Sequence, residues 1–112
     1  MPPLVGFVWR NAVMAERGAA IAAFLRAAAA ANRVLATDES AWTRLRPLMQ
    51  AADDAEFARL RDYYRAGIPG AFGEAERVSC AKLFEVLAQI GGEELVGPDP
   101  RFDRALFGPI GE

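Results

Sequence analysis

Leu4-Val5-Gly6-Phe7-Val8-Trp9 decides how the rest of this chain is read. The stretch is apolar, β-branched and aromatic, with Pro2-Pro3 before it and Arg10-Asn11 after it. That is the pattern of a strand covered on both faces. No other segment of the 112 residues has it. A lone strand exposes its backbone N–H and C=O groups and is not stable by itself. A strand is therefore expected over 4–9, its sheet lying in a second copy of the chain or in another part of a longer polypeptide.

Everything downstream has helical periodicity. A first helix is expected over 15–36, with Ile21, Phe24, Leu25, Ala28 and Leu35 on one face and Arg26 and Arg33 on another. Asn11 is expected to cap a turn leading into it, and Gly18 to weaken its first turns. Thr37 or Asp38 caps a second helix over 38–50, with Trp42, Leu45 and Met49 inward and Pro47 kinking its end. A third helix spans 53–67, with Asp53 and Glu56 at capping-box spacing and Phe57, Leu60 and Tyr64 on one face. Gly67 suits a left-handed stop, and Pro69 blocks continuation. The fourth, over 74–91, has Cys80, Leu83, Phe84, Leu87 and Ile90 as its apolar face. Gly91-Gly92 ends it. Residues 93–112 form an irregular docking tail pinned by Leu95, Val96, Phe102, Leu106 and Phe107. The expected fold is mainly α: one domain, or part of one, made of four helices and a leading strand without an in-chain partner.

Composition narrows the chemistry. The formal net charge is −2, so the chain has no overall attraction for nucleic acid. Histidine is absent, which removes the commonest general base and transition-metal ligand. The single cysteine, Cys80, sits mid-helix with no activating base and reads as a small core residue. No phosphate-binding loop is present. The chain is therefore read as not an enzyme, with no catalytic residues, no metal ligands and no cofactor. No unbroken run reaches the roughly 18 apolar residues of a membrane span; residues 19–31 come nearest and are interrupted by Arg26. Met1-Pro2-Pro3 has no basic region of the secretory type.

The arginines Arg44, Arg46, Arg59, Arg61 and Arg65 are interleaved with Asp54, Glu56 and Asp62, so a solvated face with ordinary ion pairs is favoured over an anion site. Asp53, Asp54 and Glu56 are the capping and dipole pattern of a first turn rather than a metal site. The candidate ligand-binding residues are Trp9, Arg10 and Tyr63. Trp9 and Arg10 stand at the carboxyl end of the strand, where open α/β sheets take ligands. Tyr63 lies off the apolar stripe of its helix.

The order of segments resembles a family. Val5-Gly6-Phe7-Val8-Trp9-Arg10, followed by Ala20, Ala23-Phe24-Leu25-Arg26-Ala27, is similar to a late strand and returning helix of bacterial substrate-binding proteins. These serve ABC importers of nitrate, sulfonates, taurine and thiamine-pyrimidine precursors. The resemblance continues through Trp42-Thr43-Arg44-Leu45-Arg46-Pro47-Leu48-Met49, Tyr64-Arg65-Ala66-Gly67-Ile68-Pro69 and Gly91-Gly92-Glu93-Glu94-Leu95-Val96-Gly97. It runs from Leu4 to about Phe107. It implies the four-helix carboxyl-terminal segment of a periplasmic-binding-protein-like α/β lobe, with the early ligand-binding strands and the second lobe absent. The implied function is non-catalytic capture of a small organic or anionic solute. The implied partners are that solute and an ABC permease, with a homodimer through Leu4–Trp9. Family members are periplasmic; a product of this chain without a signal peptide would be cytoplasmic. The alternative is a small self-associating helical protein, or truncated gene product, with no transport role.

Overall fold

The computed structural model describes residues 5–108. Its order is α1 (Asn11–Thr37), α2 (Glu39–Met49), α3 (Asp54–Gly67) and α4 (Glu74–Val96), then a 3-10 turn over Arg104–Leu106. The described residues are mainly helical and include no strand. Residues 5–10 of the expected strand carry no regular secondary structure, and Leu4 lies outside the described residues. A strand needs a neighbour to complete its ladder, and no other described segment offers one.

The chain divides into two compact units, Trp9–Ile68 and a second made of the leading residues with Pro69–Glu112. In the first, α1 starts at Asn11 rather than near residue 15, with Arg10 at the N-cap and no side chain capping it. Its backbone breaks at Arg17 (φ −131°, ψ 29°), beside the weakening Gly18. The Asp38 backbone N–H closes its other end on the Val34 carbonyl at 2.8 Å. The Asp38 carboxylate then caps α2, accepting from the Ser40 backbone N–H at 2.8 Å and the Ser40 hydroxyl at 2.6 Å. α2 continues two residues past Pro47 and stops at Gln50, which is left-handed (φ 55°, ψ 33°). Asp53 caps α3 by accepting from the Glu56 backbone N–H at 2.7 Å, while Glu56 reaches back to the Ala52 N–H at 2.6 Å. Gly67 is the last helical residue of α3 rather than a left-handed stop, and Ile68 takes the extended cap (φ −60°, ψ 120°).

The centre of this unit is small. Trp42 is 4% exposed and, with Ala41, is the buried hydrophobic core among the described residues. α1 is long and apolar enough to cross a membrane, by length and composition only. Much of that apolar character is alanine, and Arg26 at a bilayer centre would cost about 2.5–3.5 kcal/mol. The Asn32 side chain and the Leu35 carbonyl of α1 accept hydrogen bonds from α3 and α2, as in a helix packed against protein.

In the second unit α4 runs on to Val96 instead of stopping at residue 91. Gly92 (φ 58°, ψ −157°) interrupts it, a conformation open to glycine alone, so two helical pieces are joined across a kink. The tail returns along α4 through rings: Phe84 and Phe102 lie 5.7 Å apart, Phe102 and Phe107 5.9 Å, and Phe72 and Phe107 4.9 Å. Leu95 and Leu106, expected to pin the tail, are exposed, and residues 109–112 lie outside the described residues.

Candidate functional site

The three sequence-derived ligand residues are not gathered into a site. Tyr63 stands on α3 with 73% of its surface exposed, and Trp9 is partly exposed. Arg10 serves α1 through its backbone, its carbonyl accepting from Val13 at 3.0 Å and Met14 at 3.2 Å. No hydrogen bond, ion pair or ring contact joins Tyr63 to Trp9 or Arg10 among the described residues.

Instead, the structure assembles a polar clasp where α1, α2 and α3 meet. The last carbonyls of a helix lack intrahelical donors. The Leu35 carbonyl, in the final turn of α1, accepts from Trp42 Nε1 at 2.7 Å and from Arg65 Nε at 3.0 Å. The Arg65 guanidinium also donates to Glu39 at 2.7 Å and sits 5.9 Å from the Trp42 ring centroid. Arg61 donates to the other Glu39 oxygen at 3.0 Å and to Asp62 at 3.0 Å. Tyr64 meets Trp42 edge-on at 5.4 Å and donates its hydroxyl hydrogen to Asn32 at 2.7 Å. Arg65 holds the Glu39 carboxyl below the usual glutamate range, with Arg61 adding to the effect, and Asp62 raises Arg61.

The covered face of α3 is offset from the one its sequence pattern predicts, although Tyr64 still meets Trp42. Arg61 and Arg65 are the partly covered positions beside Phe57, whereas Leu60 and Tyr64 are more exposed. Arg46 pairs with Asp54 and lies over Phe57 at 4.8 Å. The arginine cluster is thus largely an ion-pair system, and its two central members tie helices together rather than facing water. Glu39, as the carboxylate that gathers them, was not singled out by the sequence. Its only signal was its place just after the Asp38 cap.

In the other unit, α4 and the tail line an open groove of about 580 Å³. Val78, Ala81 and Phe102 form its apolar part, while Arg77, Lys82, Arg101 and Arg104 supply cations and Glu85 the acid. Asp99 takes Arg101 Nε at 2.9 Å and raises its pKa, and Glu74 pairs with Arg104. Arg77 and Lys82 have no side-chain hydrogen bond or ion pair among the described residues. Arg77 Nε is moreover out of contact with solvent and lacks an acceptor. A desolvated donor of this kind costs about 1–3 kcal/mol.

No group of three or more potential metal-ligating side chains occurs among the described residues. Comparison with protein-family models, with curated proteins and with solved structures gives no match to this chain.

Proposed function

We propose that this chain supplies the helical closing part of a solute-binding protein serving an ABC importer. The solute is a small organic or anionic molecule: a sulfonate, nitrate or a pyrimidine precursor of thiamine. What carries the reading is the ordered resemblance from Leu4 to about Phe107, in which an apolar leading segment is followed by helices throughout. Val5 and Val8 support it physically, being 92% and 90% exposed in a segment patterned for burial. In this reading 4–9 joins as a strand a sheet supplied by another part of the polypeptide, or by a second copy in a homodimer. Trp9, Arg10 and Tyr63 are then surface for the solute, with no catalytic step. Capture proceeds by closure of two lobes about a hinge, with delivery to the permease in the periplasm.

Sequencing the transcript upstream of Met1 tests this reading. In-frame codons for a signal peptide and further α/β units are expected. An in-frame stop immediately upstream overturns the importer reading and leaves the second one. That second reading, a self-associating helical protein, is favoured by the apolar side chains α4 leaves uncovered, of which Ile90 is 79% exposed and Val86 and Leu95 are also exposed.

A further inference from the structure

We infer that the groove between α4 and the returning tail binds a small anion carrying an aromatic or other flat apolar group. Such a site does not depend on the importer reading. Four cations converge on one concavity of a chain whose overall charge is negative, and only Glu85 opposes them within the lining. Two of the four are already neutralised, Arg101 by Asp99 and Arg104 by Glu74. Of the two pairs, Arg104–Glu74 links the tail to the start of α4, while Arg101–Asp99 lies within the tail. Arg77 and Lys82, on the α4 side, have no side-chain hydrogen bond or ion pair among the described residues, so their charges are not neutralised within the groove.

The apolar lining selects among anions. Val78, Ala81 and the Phe102 ring leave room for a ring or short alkyl group beside the cations. Phe102 is itself fixed by Phe84 and Phe107, so this wall is preorganised. A phosphate monoester or carboxylate would give Arg77 a planar, charge-assisted pairing and Lys82 a point contact. A fully hydrated inorganic ion would leave the apolar wall unused.

The test is a titration of the 112-residue chain by heteronuclear NMR with phenyl phosphate, inorganic phosphate and phenol in separate arms. Saturable shifts at Ala81, Glu85 and Phe102 are expected with phenyl phosphate, with weaker ones for inorganic phosphate and none for phenol. R77Q and K82Q should each weaken phenyl phosphate binding about tenfold, the loss of one charge-assisted contact. R44Q and R59Q, on the other unit, should leave it unchanged. K82E, at an exposed position, tests charge without disturbing the fold and should abolish the shifts. The inference is overturned by a lack of saturation, by equal binding of phosphate and phenyl phosphate, or by binding that survives R77Q and K82E in folded protein.

Discussion

At the scale of single residues, Trp42 and Glu39 hold the first unit together. Trp42 combines the deepest burial among the described large side chains with an indole N–H bond to Leu35 and an edge-on contact with Tyr64. Truncating a buried aromatic costs about 3–5 kcal/mol. W42A should lose that much in urea unfolding monitored by circular dichroism, a large share of a typical domain's stability. W42F should lose less, chiefly the hydrogen bond, worth about 1 kcal/mol. The inward place of Trp42 was readable from its spacing with Leu45 and Met49. The partner of its N–H was not, because Leu35 enters through its carbonyl, which every residue has. Glu39 supplies a pH prediction. Its folded pKa lies below the ordinary 4.5, because Arg65 bonds its ionised form. A depressed carboxyl contributes stability that is complete above the unfolded pKa and lost as pH falls through the folded one. Asp38, lowered by its bonds from Ser40, and Glu76, lowered by the Gly73 N–H, act in the same sense. Thermal melts should therefore fall steadily below about pH 4.5. E39Q should be less stable at pH 7 and show a smaller fall on acidification. An equal fall in E39Q would remove Glu39 from this account.

At the scale of elements, boundaries obey local chemistry where a cap is present and depart from it where backbone geometry takes over. Asp38 and Asp53 cap α2 and α3 with their carboxylates, signals that stand in the sequence. Gly67, by contrast, carries a stop signal and remains helical, while Gln50 takes the left-handed position after α2. A non-glycine residue there costs about 1–2 kcal/mol. Q50G should therefore raise stability by about 1 kcal/mol, visible as an increase in Tm of several degrees for a unit of this size. An unchanged or lower Tm would mean that the Gln50 side chain contributes more than its backbone costs. The glycine pair near the end of α4 was legible as an interruption but not as a kink. A glycine pair can end a helix or merely break it, and the residues beyond Gly92 decide between the two. Glu93, Glu94, Leu95 and Val96 are ordinary enough helix formers to resume.

At the scale of the whole molecule, the apolar surface is incompletely covered. Val5, Val8 and Ile90 stand out among residues whose patterning calls for burial. Sedimentation velocity across a concentration series should show reversible self-association of the 112-residue chain. V8K, which places a charge in the leading segment without touching a helix cap, should shift it toward monomer. A monomer at every concentration would remove both the homodimer and the self-association reading. The mainly helical class and the approximate helices were determined by the sequence, because apolar periodicity and caps act within a few residues. The tertiary structure alone decided that Arg61 and Arg65 of α3 both pair with Glu39 of α2, and that the tail and α4 line a groove. Those outcomes depend on which helix faces meet, which no local pattern specifies. The leading segment belongs to both scales. Its apolar pattern stands in the sequence, but a strand forms only where a tertiary or quaternary neighbour satisfies its N–H and C=O groups, and residues 5–10 carry no regular secondary structure.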